Sequence, residues 1–554
     1  MFRLRRIFCL LCIFFVVLPV QAGEGPRLGA IATAHPLATR AGFEILEGGG
    51  NAFDAAVAVS AALAVVEPYS SGLGGGGFWL LQRAGETRAV MLDGRETAPG
   101  AAHRDLYLDE KGEVIPGASV NGPLAAGIPG VPAALDYLAR HYGRLPLAKS
   151  LAPAIRLAER GFTVTGHYRR MAAFRLEVLR ASPETARIFL KDGQVPPLGY
   201  RIRQPELAAT LRRLAARGYE GFYRGEVARR MVEAVRAGGG IWTLADLAGY
   251  EVRLREPVVF SWRGWRITAA SPPSSGGVAL ATMLNILEQD DLAHLPQWQR
   301  VHLLVEAMRR AYRDRARYLG DPDFVEVPVA RLTSKAYARH LRQSIDPERA
   351  TPSEALEAAD SAGRHTTHFS ILDRAGNRVA ATLSINYPFG SGFVAPGTGV
   401  LLNDEMDDFS AKPGVPNVYG LVGGEANAVA PGKRMLSSMT PTFAESASRL
   451  ALLGTPGGSR IITMVMLGIL ALDEGADPRA VVARPRFHHQ YLPDVIQFER
   501  GALDAATRAR LAAIGYRLRA FDPWGNMQIV VQERVSGRMD AASDPRGEGW
   551  AEVR

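Results

Sequence analysis

At Thr366 the chain changes its period. The residues before it, 346–363, are polar and alanine-rich with no apolar repeat, and those after it alternate as strands do. Residues 366–373 and 378–385 flank Arg374-Ala375-Gly376-Asn377, a turn-rich tetrad of the kind that joins hairpin strands. Counting outward from the centre of that turn sets residue 366 opposite residue 385, within one position. The two-residue period of a strand then places Ser384 and Asn386 on one face, beside Thr366. A polar linker ending just before Thr366 makes the His365–Thr366 bond accessible. Were that bond cut, Thr366 would carry a hydroxyl and a free α-amine on one residue. Such an amine, with a reference pKa of about 7.7–8.0, is a base near neutral pH, and threonine activated by its own amine is a known form of nucleophile.

The start of the chain is not part of a fold. Arg3, Arg5 and Arg6, an apolar run over 7–20 and the small-residue end Val20-Gln21-Ala22 form a secretory signal pattern, so residues 1–22 are expected to be removed. The run is short for a membrane span and no later one reaches its length; retention as an N-terminal anchor is the alternative. Cys12 lacks the small preceding residues of a lipoprotein site. Both cysteines, Cys9 and Cys12, lie in this segment, so the mature chain has no disulfide, thiolate metal site or cysteine nucleophile. Export without cysteines fits a bacterial periplasm or exterior. Losing three arginines takes the formal charge from +9 to +6. No Lys/Arg block with interleaved aromatics is present, which argues against nucleic-acid binding. With 554 residues and 47% hydrophobic content, the chain supplies one large core or two to three domains.

Along the chain, 28–33 has the pattern of a strand, and 36–47 that of a helix stopped by Gly48-Gly49-Gly50. Asn51 caps an alanine-rich helix to about residue 66, with Asp54 in its first turn. A Ser/Gly loop over 69–77 leads to a hairpin of 78–83 and 89–92. The middle, 147–288, is mainly helical, with amphipathic stretches at 147–160, 205–215 and 225–237, and 301–319 is a long helix with apolar and Arg faces.

Each candidate motif has an ordinary structural reading. Thr366, Thr367 and Ser384 are residues that strands favour. Asn403-Asp404-Glu405-Met406-Asp407-Asp408-Phe409 packs four acids, by default a solvated turn or helix cap. The run from Arg434 to Thr442 sets Ser437 and Ser438 among apolar residues. Gly454-Thr455-Pro456-Gly457-Gly458-Ser459-Arg460 is a tight turn into a helix, and its amides suit an oxyanion hole. Gly74 to Gly77 lack the Gly-Lys-Ser/Thr of a phosphate loop. His488-His489 and His365/His368 come with no ligand set of recognisable spacing. No metal and no cofactor is expected.

Together, however, these motifs resemble those of the γ-glutamyltransferases. Thr366-Thr367-His368, Met406-Asp407-Asp408-Phe409, Lys412-Pro413-Gly414-Val415-Pro416-Asn417, Arg434 to Thr442 and Pro456-Gly457-Gly458-Ser459-Arg460 are similar to the family's small subunit. Gly49 to Ala56, Ser71 to Gly76, Asp93-Gly94-Arg95-Glu96-Thr97-Ala98-Pro99 and Leu319-Gly320-Asp321-Pro322 are similar to its large one. The motifs run in the family's order over residues 28–554.

The resemblance implies an α+β fold, the N-terminal nucleophile hydrolase αββα sandwich of four layers. It implies one precursor that cuts itself into a large subunit, 23–365, and a small one, 366–554, which stay together as a heterodimer. Thr366 would be both processing residue and nucleophile, with cleavage between His365 and Thr366. Ser384 stands where a second threonine is usual; serine keeps the hydroxyl and loses a methyl. Asn386, Glu405 and Asp408 match residues that hold the donor's α-amino group; bacterial relatives often carry Gln at the position of Glu405. Arg95, Ser437 and Ser438 match the α-carboxylate clamp, for which Arg has the planar fork. Gly457 and Gly458 match the oxyanion pair, and residues 411–424, with Tyr419 inside, resemble the lid over the γ-glutamyl pocket.

The implied partners are glutathione and other γ-glutamyl compounds as donors, and water, amino acids or peptides as acceptors, with no membrane span in the mature protein. One competing enzyme is a glutaryl-cephalosporin acylase, whose donor lacks the α-amine that Glu405 and Asp408 would serve. A rival of another class is a non-catalytic periplasmic amino-acid or peptide binding protein, which would need no nucleophile.

Overall fold

The structure is a computed structural model that describes residues 26–353 and 366–554. The expected signal segment and His365 lie outside the described residues. Two antiparallel sheets lie face to face, each backed by helices. The first has the strand order Trp550–Val553, Gly29–Thr33, Thr367–Asp373, Arg378–Ser384, Gly76–Gln82, Val90–Gly94, Arg253–Arg255. The second runs Met539–Ser543, Gln528–Glu533, Arg449–Gly454, Thr442–Glu445, Trp265–Ala269, Val258–Trp262.

Strand alternation builds the layers. In Thr367–Asp373, Phe369 and Ile371 face the core under the helices while Leu372 faces the other sheet. In Arg378–Ser384, Val379, Ala381 and Leu383 face the helices and Ala380 the opposite sheet. The second sheet mirrors this: Leu450 and Leu452 point to the first sheet, Ala451 and Leu453 to the far helices. The central strands are thus buried on both faces, as Gly76–Gln82 is throughout, whereas the edge strand Val258–Trp262 alternates buried and exposed. His368 fills the inter-sheet layer, its Nδ1 2.8 Å from the Thr382 hydroxyl. Burial lowers its pKa to about 3, so it is neutral there.

The local signals explain the elements. Asn51 Oδ1 accepts from the N–H groups of Phe53 and Asp54, Asp54 returns a bond to Asn51 N–H, and the buried helix Ala52–Val66 starts there. The helices Pro36–Glu47, Leu147–Arg160, Pro205–Arg217 and Gly225–Ala237 lie where amphipathic period placed them. The long Arg-faced helix begins earlier than its period suggests, spanning Gln297–Tyr318. Within the mainly helical middle, the hairpin Val258–Trp262 and Trp265–Ala269 is an element the helical reading passes over. Its turn residues Arg263 and Gly264 both have positive φ, the two-residue geometry suited to strand twist.

The register Leu383↔Thr367 sets Ser384 opposite Thr366, at the near limit of the count made from the turn. Strands from before and after residue 365 interleave in the first sheet and meet in the second where Thr442–Glu445 pairs with Trp265–Ala269. Gly29–Thr33, for instance, lies between Trp550–Val553 and Thr367–Asp373. Among the described residues no helix is long and apolar enough to cross a membrane.

Candidate active site

Thr366 lies at the end of its strand, 5% exposed, in the lining of a narrow cavity. Ser384, Asn386, Arg95, Glu405 and Asp408 line the same cavity, as do Tyr419, Ser437, Ser438 and Gly458. Chain segments more than 300 residues apart therefore meet at one hydroxyl. Gly457 stands just outside that lining, with its α-carbon turned towards Met464.

Each side chain is placed by a local device. The strand Val90–Gly94 ends directly before Arg95, whose N–H donates to Asp93 and whose Nε donates to the Met435 carbonyl at 3.2 Å. The acid-rich segment is not the solvated turn expected by default: Glu405–Asp408 is a short 3-10 helix with Glu405, Met406 and Asp407 buried. Asn403 makes that burial workable, because its Oδ1 accepts from Glu405 and Gly127 N–H while its Nδ2 donates to Gly74 and Gly127 carbonyls. Backbone left unpaired there would cost about 1–3 kcal/mol per group.

Asn386 has a positive φ of 69°. Its Nδ2 donates to the Asp404 carbonyl, which leaves its Oδ1 to accept from something else. The Ser384 hydroxyl accepts from Asn386 N–H at 2.8 Å. Tyr419 reaches over the site and donates to the Asn386 carbonyl at 2.7 Å. Its ring lies against Gly458, where a Cβ would come within 2.6 Å of ring carbon Cδ1; with φ +56°, that position suits glycine on both counts. Gly457 and Gly458 lead into the 3-10 turn Gly458–Arg460 and the helix Ile461–Asp473, so their amides lie at a helix start, the positive end of its dipole.

The electrostatics centre on Arg95, which is 1% exposed. It donates to Glu405 through Nη1 and to Asp408 through Nη2, the latter at 2.5 Å, and Glu96 lies 3.6 Å away. Burial works against the Arg95 charge, and the Glu405 and Asp408 carboxylates outweigh it. Burial raises Glu405 to about 7, with Arg95 and the Ser384 hydroxyl pulling the other way. Glu96 is pushed well above the carboxylate range by burial and then by Glu405, and neither of its oxygens has a hydrogen-bond partner among the described residues. One buried guanidinium thus holds several acids.

Three contributors escaped the sequence reading as functional residues. Glu96 sits inside a quoted motif but carries no pattern of its own. Arg315, on the Arg face of the long helix, donates to the Ser275 hydroxyl at 3.0 Å and to Ser438 Oγ at 3.4 Å. Glu67, at the end of an apolar helix, accepts from the Thr367 hydroxyl at 2.7 Å. An acid closing a buried helix that is apolar from Ala55 on, apart from Ser60, was the available signal for Glu67. His488 and His489 are buried and hydrogen-bonded within the protein: His488 bonds Thr463 and Gln490, and His489 bonds Asp494.

Comparison with known proteins places this geometry. The family model described as Gamma-glutamyltranspeptidase matches residues 38–553. A glutathione hydrolase proenzyme of Pseudomonas sp. (strain A14) is 43% identical over 541 residues, 95% of this chain and 94% of that protein. The glutathione hydrolase proenzyme of Escherichia coli (strain K12) is 41% identical, over 95% of this chain and 91% of its own length. Among solved structures, a cephalosporin acylase from Bacillus halodurans superposes with a TM-score of 0.84 at 29% identity, covering 98% of this chain and 99% of that one.

Proposed function

The chain belongs to the gamma-glutamyltranspeptidase family, and on that premise we propose that it is a self-processing glutathione hydrolase and γ-glutamyltransferase, exported to a bacterial periplasm or exterior. The observation that carries the reading is Arg95 clasped by Glu405 and Asp408 in the cavity that Thr366 lines. A γ-glutamyl donor presents an ammonium and a carboxylate on one carbon. The donor carboxylate replaces the acids on Arg95, with Ser437 and Ser438 beside it. The donor ammonium replaces Arg95 on Glu405 and Asp408, with Asn386 Oδ1 as a further acceptor. Every buried charge exchanges one partner for another, which avoids the several kcal/mol that a stranded buried charge costs.

Maturation comes first. Thr366 Oγ1 attacks the His365 carbonyl carbon, the peptide C–N bond breaks, and the resulting ester is opened by water. The large part, 23–365, and the small part, 366–554, remain together because their strands share both sheets. In turnover the freed α-amine takes the hydroxyl proton and Oγ1 attacks the donor's γ-carbonyl. The amides of Gly457 and Gly458 face the oxyanion, and the proton leaves on the departing amine. Water or an amino-acid or peptide amine then attacks the γ-glutamyl ester. The segment around Tyr419 closes over the acyl group.

The test compares L-γ-glutamyl-p-nitroanilide with glutaryl-p-nitroanilide, which differs only by the missing α-amine. Loss of a desolvated charge partner costs about 2 kcal/mol or more, so kcat/KM should favour the γ-glutamyl donor by about 30-fold or more. Equal or reversed preference would identify an acylase, and no release from either donor a binding protein.

Ser384 gives a second expectation. Its hydroxyl joins Asn386 N–H to the acid cluster, so Ser384→Ala should slow precursor cleavage and donor hydrolysis by about 1–3 kcal/mol, roughly 5- to 150-fold. Ser384→Thr should keep both. A Ser384→Ala protein that matures and turns over at parental rates would remove this contact from the mechanism.

A further inference from the structure

Behind the donor cavity, on the long helix Gln297–Tyr318, stands a second buried guanidinium, Arg315, 4% exposed. Arg95 is surrounded by Glu405, Asp408 and Glu96, but among the described residues Arg315 forms no salt bridge. Its hydrogen-bond partners are two serine hydroxyls, Ser275 at 3.0 Å from Nε and Ser438 at 3.4 Å from Nη2. Burial lowers its pKa, Asp408 and Tyr312 pull it back up, and Arg95 adds to the fall. A buried charge without a counter-ion is strongly unfavourable, and an anion is what would complete this one.

Both serines lead to the carboxylate clamp. Ser275 N–H and Oγ donate to the Ser437 carbonyl at 2.8 and 2.7 Å. Ser438 Oγ accepts from Arg315 itself, and Ser437 Oγ accepts from Met439 N–H at 3.1 Å. A hydroxyl carries one proton and two lone pairs. Each clamp serine thus has a lone pair occupied within the protein and, among the described residues, no acceptor for its proton. Both protons remain for an anion in the cavity that these serines line with Arg95 and Thr366.

We propose that Arg315 is a specificity-determining positioning residue, which acts through Ser438 and through Ser275 behind Ser437 to make the pocket demand a free α-carboxylate on its donor. The proposal rests on the γ-glutamyl reading above. Arg95 exchanges its acids for the donor carboxylate, whereas Arg315 has no anion to exchange and gains one. A donor whose α-carboxyl is amidated, or extended by a further peptide bond, brings no charge and leaves Arg315 as it was. The hydrogen bond from Ser438 to a carboxylate is also stronger than one to an amide oxygen.

The experiment measures kcat/KM on three p-nitroanilides: L-γ-glutamyl, the same donor with an α-carboxamide, and glutaryl. The wild type should favour the carboxylate over the carboxamide by about 30-fold or more. Arg315→Gln should lower that preference by about tenfold, the share of a hydrogen bond to a charged group, and Arg315→Lys should recover part of it. The preference over glutaryl, set by Glu405 and Asp408, should persist in both variants. Each preference compares two donors on one preparation, so the fraction that matures cancels. Should Arg315→Gln fail to mature, Ser275→Ala decides, with an expected fall of a few-fold in the carboxylate preference alone. An unchanged carboxylate preference in the deciding variant, or both preferences falling together, overturns the proposal. No release of p-nitroaniline by the wild type from the γ-glutamyl donor fails the γ-glutamyl reading as well, whereas release with an unchanged preference fails the role of Arg315 alone.

Discussion

Thr366→Ala is expected to give an uncut chain on a denaturing gel and no measurable turnover of a γ-glutamyl anilide. The wild type should give two bands, the smaller beginning at Thr366. Removing a nucleophile of this kind commonly costs about 10⁴-fold or more in kcat. The variant should still fold, because Thr366 lies just outside the paired strand Thr367–Asp373, whose register with both neighbours does not depend on its side chain. Circular dichroism of the uncut variant checks this. Thr366→Ser keeps a hydroxyl and an amine and should still cleave. Scission of the alanine variant at the same bond would show that another group does the processing and would remove Thr366 from both steps.

Thr366 was legible because two independent signals converge there, a loss of apolar period before it and a strand alternation after it. The hairpin turn fixed its partner, and the register in the structure puts Ser384 directly opposite. The Asn51 cap and the amphipathic helices were legible for the same reason: their cause is local. The buried acid turn was not. Four acids in seven residues belong in water by the ordinary cost of burying charge, and Asn403 and Arg95, which offset that cost, come from distant sequence. In sequence, Arg95 stands as a hand for a carboxylate and Glu405 and Asp408 as separate hands for an ammonium. In the structure those hands hold each other, a pairing that only the fold creates. The second sheet's hairpin at 258–269 was masked by the helices around it, although its period-two burial and Arg263-Gly264 turn are present. Glu67 carries no motif, and its relation to Thr366 exists only in three dimensions.

The Arg95–Asp408 pair carries the other large effect. Arg95→Ala and Asp408→Ala should each lower kcat/KM on a γ-glutamyl anilide by about 30- to several-thousand-fold, the 2–5 kcal/mol that breaking a desolvated charge pair costs. Their signatures should differ. Asp408→Ala removes a partner of the ammonium, so it should shrink the preference over a glutaryl donor. Arg95→Ala removes the carboxylate clamp, which both donors need, and should slow both. Arg95→Ala should also destabilise in a pH-dependent way. Burial already holds Glu405 near 7 and Glu96 well above its usual range, and Arg95 is what draws them down. Without the guanidinium both rise further above an unfolded value of about 4.3. A carboxyl whose folded pKa exceeds its unfolded one favours folding at low pH and loses that contribution as pH climbs through the folded value. The Tm deficit of Arg95→Ala should therefore be smallest near pH 5 and widen through pH 7 to 8. A deficit that stays constant across that window would mean that the acids around Arg95 are not held by it, and the ion-pair exchange proposed for donor binding would fall with it.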